Sequence, residues 1–225
     1  VAASAADHLS NHPVDSSTSG KTPTNKTFSK AASANGAIYA VTIGESTDDP
    51  CYMEIKYRDV SSHSTQSSLK FSGCAGHDAN GLLTATLPSG AFVTGVRICL
   101  NSDGDKMKGI QLIGGYGDCV LGAASVPGVP SSCSGVVKLS GHDYNLCNDS
   151  NPPYITLSCS LPITSYVERT NCRGSKYDAP NDDWEKIVSC PAKMIATGMK
   201  LRTISGSGDR KMINGVALVC DTLVP

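Results

Sequence analysis

The chain has 225 residues, 40% hydrophobic and 17% charged, with a formal net charge of -1. Its charged fraction lies below the about 25% of ordinary soluble domains. It has no basic patch suited to a phosphate backbone, and no apolar run near the roughly 18 residues of a membrane helix, so nucleic-acid binding and a membrane span are excluded as expectations.

The first 35 residues are small and polar ("DSSTSGKTPTNKTFSKAASANG") and lack apolar periodicity. They read as an arm, flexible or ordered by a partner, that could add a strand to an open sheet edge. The opening "VAASAADHLS" has no Met, basic start or apolar core, as expected of a mature secreted chain. From residue 36 the texture becomes short apolar runs between turn residues. Strands are predicted at 38–43, 51–57, 68–71, 82–87, 92–100, 108–113, 135–140, 154–159, 166–169, 184–190, 194–204 and 213–220. No segment keeps a helical stripe for three turns, so the fold class is all-β, with antiparallel pairing because the connections are short. "LGAASVPGVPSS" (121–132) separates a first β unit, 36–122, from a second, 133–225. The two are either separate domains or parts of one continuous domain, 36–225.

Ten cysteines occur, and no two form a CxxC pair: Cys51, Cys74, Cys99, Cys119, Cys133, Cys147, Cys159, Cys172, Cys190 and Cys220. An even count without metal-ligand spacing predicts full disulfide pairing in an oxidising compartment; buried free thiols are the competing reading. The pairing is open at this level. Glycosylation sequons at Asn25 and Asn148 fit a secreted chain.

One phrase is written twice. "FVTGVRICLNSDGDKMKGIQLI" (92–113) and "IATGMKLRTISGSGDRKMINGVALV" (195–219) share Thr-Gly, an alternating strand, a Gly-Asp turn and a second alternating strand. Val96, Ile98 and Leu100 face one side, as do Met199 and Leu201, while Ile110 and Leu112 correspond to Val216 and Leu218. The pattern predicts two hairpins, each packing one face on a shared core, with Asp105 and Asp209 accepting backbone N–H bonds in their turns. A weaker echo joins residues 69–83 to 137–146 through Gly-His-Asp.

The stretch 184–220 resembles the vitelline membrane outer layer protein family, through Trp184, Cys190-Pro191, Gly198, Gly208-Asp209, Asn214-Gly215 and Cys220. Residues 92–113 match in part, through Gly95, Gly104-Asp105 and Gly109, without the leading Trp and the Cys-Pro. The resemblance implies a secreted β-prism of three sheets, lectin-like and belonging to protective extracellular coats. A third repeat is then expected in the middle, from "CSGVVKLS" to "NCRGSK".

Few residues suggest catalysis. His77-Asp78 and His142-Asp143 are sequence neighbours that a strand sends to opposite faces, so they read as turn residues. Asp182, Asp183 and Glu185, beside the single Trp184, offer carboxylates for a glycosidase but sit too close for an inverting pair. A weak calcium loop is offered by Asn101, Asp103 and Asp105 at alternate positions. Two loops have the residues of a glycan site, Tyr116 with Asp118 and Asp143 with Tyr144 and Asn145. No cofactor is expected. The expected role is a secreted structural or adhesive protein of a coat, matrix or filament that binds carbohydrate and assembles through its arm. The alternatives are a soluble lectin and, third, a secreted glycoside hydrolase.

Overall fold

The computed structural model describes residues 7–21, 26–28, 34–123, 125–127, 136–139, 142–145, 156–160, 162–170, 172 and 184–225. In chain order the strands are β1 (His8–Leu9), β2 (Val14–Gly20), β3 (Lys26–Phe28), β4 (Gly36–Ser46), β5 (Asp49–Asp59), β6 (Leu69–Ser72), β7 (Asn80–Thr86), β8 (Ala91–Leu100) and β9 (Met107–Tyr116). A one-turn helix, α1 (Gly117–Leu121), precedes β10 (Ser125–Pro127), β11 (Val136–Leu139), β12 (His142–Asn145), β13 (Thr156–Ser158), β14 (Ile163–Glu168), β15 (Val188–Ser189), β16 (Met194–Ser205) and β17 (Lys211–Val224). No helix among the described residues is long and apolar enough to cross a membrane.

Three long hairpins carry the fold: β4–β5, β8–β9 and β16–β17. Each is the centre of an antiparallel sheet that gains flanking strands on both sides. β6 and β7 flank the first, β14 and β15 the second, and β2 and β3 the third. The result is an all-β, β-prism-like body built from diverged repeats. The sequence repeat predicts the second and third hairpins. The first repeat lies at 36–59 instead of in the middle region, whose β11, β12 and β14 extend the second sheet. Its turn hides the kinship: Thr47 and Asp48, both at positive φ, close β4–β5 in two residues where the other copies use a longer Gly-Asp loop. The Gly-His-Asp echo is not structural, because β6 and β7 lie on opposite sides of one hairpin whereas β11 and β12 pair with each other.

The segment 1–35 supplies β1, β2 and β3 to the third sheet of its own chain. Its polar composition fits an outer strand. Ser16 Oγ accepts the Leu218 N–H at 2.9 Å, buried Ser19 Oγ accepts the Ile98 N–H at 3.2 Å, and the Lys21 N–H donates to the Asn214 carbonyl at 3.0 Å.

The repeated Thr-Gly marks a β-bulge. Thr94 and Thr197 are the unpaired residues in their hairpins, and Tyr39 takes the same place in the first. Thr94 Oγ1 donates to the Ile113 carbonyl at 3.5 Å and Thr197 Oγ1 to the Val219 carbonyl at 3.4 Å. Gly109 and Gly215 are needed for close approach: an added Cβ would stand 2.9 Å from the Val167 carbonyl oxygen, or 1.8 Å from that of Lys21.

The inward faces of all three hairpins share one apolar cluster, with Val41, Ile55, Val96, Ile110, Leu201 and Val216 all fully buried. Alternation along each strand produces this, since a lone hairpin cannot cover its own apolar face. Ala37, Phe92 and Ile195, at matching places in β4, β8 and β16, close one end in a second apolar cluster with Leu9, Val60 and Leu223.

The other end is closed by charge. Asp49 meets Lys106 at 2.9 Å and Arg210 Nε at 2.9 Å. These are the basic residues that follow Gly104-Asp105 and Gly208-Asp209, so one carboxylate of the first hairpin ties the turns of the other two. Lys108, fully buried, pairs with Glu45 at 3.3 Å and with Asp48, and Arg169 meets Glu45 at 2.9 Å. The turn acids do less than their repetition suggests. The acceptor inside the 101–106 turn is Asn101 Oδ1, which takes the Asp105 and Lys106 N–H groups at 3.0 Å each, while Asp105 Oδ1 is buried without a partner among the described residues.

Eight cysteines pair as Cys51–Cys74, Cys99–Cys172, Cys119–Cys159 and Cys190–Cys220. Cys133 and Cys147 lie outside the described residues, as do Asn25 and Asn148.

Burial alone raises the Asp49 pKa, but hydrogen bonds from Lys106, Arg210 and Ser207 outweigh it and hold the carboxyl below its usual range. A depressed carboxyl pKa contributes stability above the unfolded value of about 4 and loses it as pH falls through the folded value. Asp49→Ala should therefore cost about 3 kcal/mol at neutral pH in urea unfolding, taking the shared carboxylate from Arg210 and leaving Lys106 only Asp48 at 3.6 Å, and the cost should shrink below about pH 4. An Asp49→Ala chain as stable as the parent at neutral pH would contradict the tie. Thiol titration of the denatured, unreduced chain should find no free thiol, with Cys133 and Cys147 paired as the remaining two; two reactive thiols would contradict it.

Candidate functional site

A pocket opens at the end of the body away from the Asp49 tie. Its volume is about 440 Å³, within the range of sites for small ligands. The second hairpin contributes Thr94 at the bulge and Gly114, Gly115 and Tyr116 at the end of β9. Cys119 and Val120 of α1 form a second side, and Cys159, Ser160, Pro162 and Ile163 a third. The turn Cys190–Met194 before β16 supplies the last.

Covalent and backbone bonds fix these walls. Cys119–Cys159 ties α1 to the segment after β13, and Cys190–Cys220 ties the turn to β17. The Cys190 N–H donates to the Thr94 carbonyl at 2.7 Å, and the Leu223 N–H to the Lys193 carbonyl at 2.9 Å. Such a cavity is pre-formed, so a ligand need not order it.

The described lining is mainly apolar side chains and glycine, with the polar side chains of Thr94, Ser160 and Lys193 among them. Among the described residues, Lys193 is the charged side chain on it, and no carboxylate lines it. Lys193 also has φ 63°, the left-handed region that costs a lysine about 1 kcal/mol.

The sequence-derived candidates divide. Tyr116 lines the pocket but is only 8% exposed, and its hydroxyl is buried without a hydrogen-bond partner among the described residues, so it forms wall and not an open stacking face. Burial raises its pKa. Asp118 is exposed in the first turn of α1 and is not on the lining. Asp143, Tyr144 and Asn145 lie on strand β12, at the far edge of the second sheet. Asn101, Asp103 and Asp105 sit in the β8–β9 turn at the opposite end, where Asn101 Oδ1 already accepts two backbone N–H groups. Among the described residues, no group of three or more His, Cys, Asp and Glu is placed to hold a metal ion. Asp182 and Asp183 lie outside the described residues. Trp184 packs on the outer face of the second sheet, 5.3 Å from the Arg97 guanidinium and edge-on to Tyr166 at 6.1 Å, while Arg97 Nε donates to Gln111 Oε1 at 2.5 Å.

Sequence reasoning missed Lys193. The signal was present: "LPSGAFVTG" (87–95) aligns with "CPAKMIATG" (190–198) residue for residue, setting Gly90 against Lys193. The repeat was read from its strands, which start just after this turn.

No protein-family model matches the sequence, and no curated protein matches it. The resemblance to the vitelline membrane outer layer family therefore stands on its motif residues alone. Among solved structures the chain is similar to wild-type Malaysian banana lectin at 11% identity, over 94% of this chain and 98% of that one, with a TM-score of 0.39.

A buried hydroxyl without a partner costs about 1 kcal/mol or more. Tyr116→Phe should therefore leave the fold as stable as before, or about 1 kcal/mol more so, in denaturant unfolding. A loss of that size would show that the hydroxyl has a partner.

Proposed function

We infer that this is a secreted structural or adhesive protein of an extracellular coat or matrix that holds a saccharide in the disulfide-walled pocket. The observation that carries the saccharide reading is the pocket itself: pre-formed, about 440 Å³, and lined by hydroxyls, backbone and apolar surface together. A sugar ring has that same mixture of hydroxyl edges and apolar C–H faces, and a fixed wall limits the entropy lost on binding. Four disulfides among the described residues support an oxidising compartment. A coat role is supported by the same cross-links, which restrict the unfolded chain.

The lining favours holding a glycan over cleaving one. Glycoside hydrolysis uses two carboxylates across the scissile bond, and the described residues of this lining include none.

Ala192 lies on the lining and is exposed, so enlarging it should block the pocket without disturbing the core. On a glycan array the parent chain should bind a defined set of saccharides saturably, and Ala192→Trp should weaken that binding at least about tenfold with unchanged melting. Binding that Ala192→Trp leaves intact would place the site elsewhere, and silence of the parent across the array would reject the saccharide.

A further inference from the structure

The turns Pro88–Ala91 and Pro191–Met194 are one turn built twice. Each starts at a proline. Each is closed by a 3.1 Å bond from the N–H of its fourth residue to the proline carbonyl. Each leads into the first strand of a long hairpin, and the bulge follows at the same distance, after Val93 and after Ala196. The third residue is left-handed in both, Gly90 at φ 81° and Lys193 at φ 63°.

Glycine is the ordinary residue for that backbone, and this chain uses it at Gly90. Lysine is not among the side chains enriched there. The fold therefore does not call for a side chain at 193, yet one is kept in a strained conformation. Strain of this kind collects where function needs a group held in place. Lys193 is held by the Leu223–Lys193 hydrogen bond and, three residues back, by the Cys190–Cys220 disulfide. It is exposed, it stands on the pocket wall, and among the described residues no carboxylate on that wall competes for its ammonium.

We propose that Lys193 sets the specificity of the pocket, and that the ligand is an acidic saccharide whose carboxylate or sulfate pairs with the Lys193 ammonium. This rests on the saccharide reading above. A single cation in a partly enclosed wall of low charge attracts an anionic group and discriminates against a neutral ring of the same shape.

The test is calorimetric titration of the full chain with three probes: a hyaluronan tetrasaccharide bearing carboxylates, a keratan sulfate tetrasaccharide bearing sulfates and no carboxylate, and neutral chitotetraose. One acidic probe should bind about tenfold or more tighter than the neutral one, and that advantage should shrink between about 50 and 300 mM salt. Which acidic probe binds identifies the anionic group. Lys193→Met and Lys193→Gly should each remove the advantage, and Lys193→Arg should retain it. Lys193→Gly should also melt about 2–4 °C higher, because glycine relaxes the backbone, so its lost binding is not unfolding. Equal binding of neutral and acidic probes, unmoved by Lys193→Met, would overturn the role of Lys193 and leave the saccharide pocket standing. Binding of none of the three would overturn both.

Discussion

One carboxylate holds the three repeats in register. Asp49, buried at the tip of the first hairpin, accepts from Lys106 of the second and Arg210 of the third. Apolar burial brings the three faces together but is indifferent to small slides along the strands. An ion pair at hydrogen-bond distance is not. The repeated Gly-Asp-basic phrase thus acts through its basic residue, which reaches across to a partner in another repeat. Lys108 strengthens the same end: a fully buried ammonium is tolerated only because Asp48 and Glu45 meet it.

With the turn end fixed by charge, the opposite end is free for variation. There Ala37, Phe92 and Ile195 close the core, and the connections above them differ between repeats. The second hairpin runs on into α1 and a disulfide, and the third begins from a turn tied by another. The pocket lies in the space between these unlike pieces. Quasi-symmetry builds the frame, and departures from it build the site. Lys193 against Gly90 is one such departure, with both residues left-handed and a side chain on only one of them.

Several sequence expectations changed meaning in three dimensions. Residues 1–35 lack any apolar period, and yet β2 and β3 complete the third sheet of their own chain. Outer strands pair through backbone and hydroxyl groups, which leave no hydrophobic pattern to read. The first repeat escaped notice because its turn is two residues long and Tyr39 stands where the others have Thr. Tyr116 carried the composition of a sugar-stacking residue but packs as wall, because period-two alternation at the end of β9 turns its ring inward.

The sequence by itself determined the all-β class, the second and third hairpins, their inward faces and the pairing of cysteines as a principle. These follow from local alternation, turn chemistry and count, which are written residue by residue. Only the tertiary structure decided which cysteines join, that residues 36–59 are a repeat, that Asp49 is the common partner of Lys106 and Arg210, and that Lys193 lines a pocket. Each of those joins residues from 23 to 161 positions apart or compares backbone angles, and such distances are set by how three sheets close on one core, which no local pattern encodes.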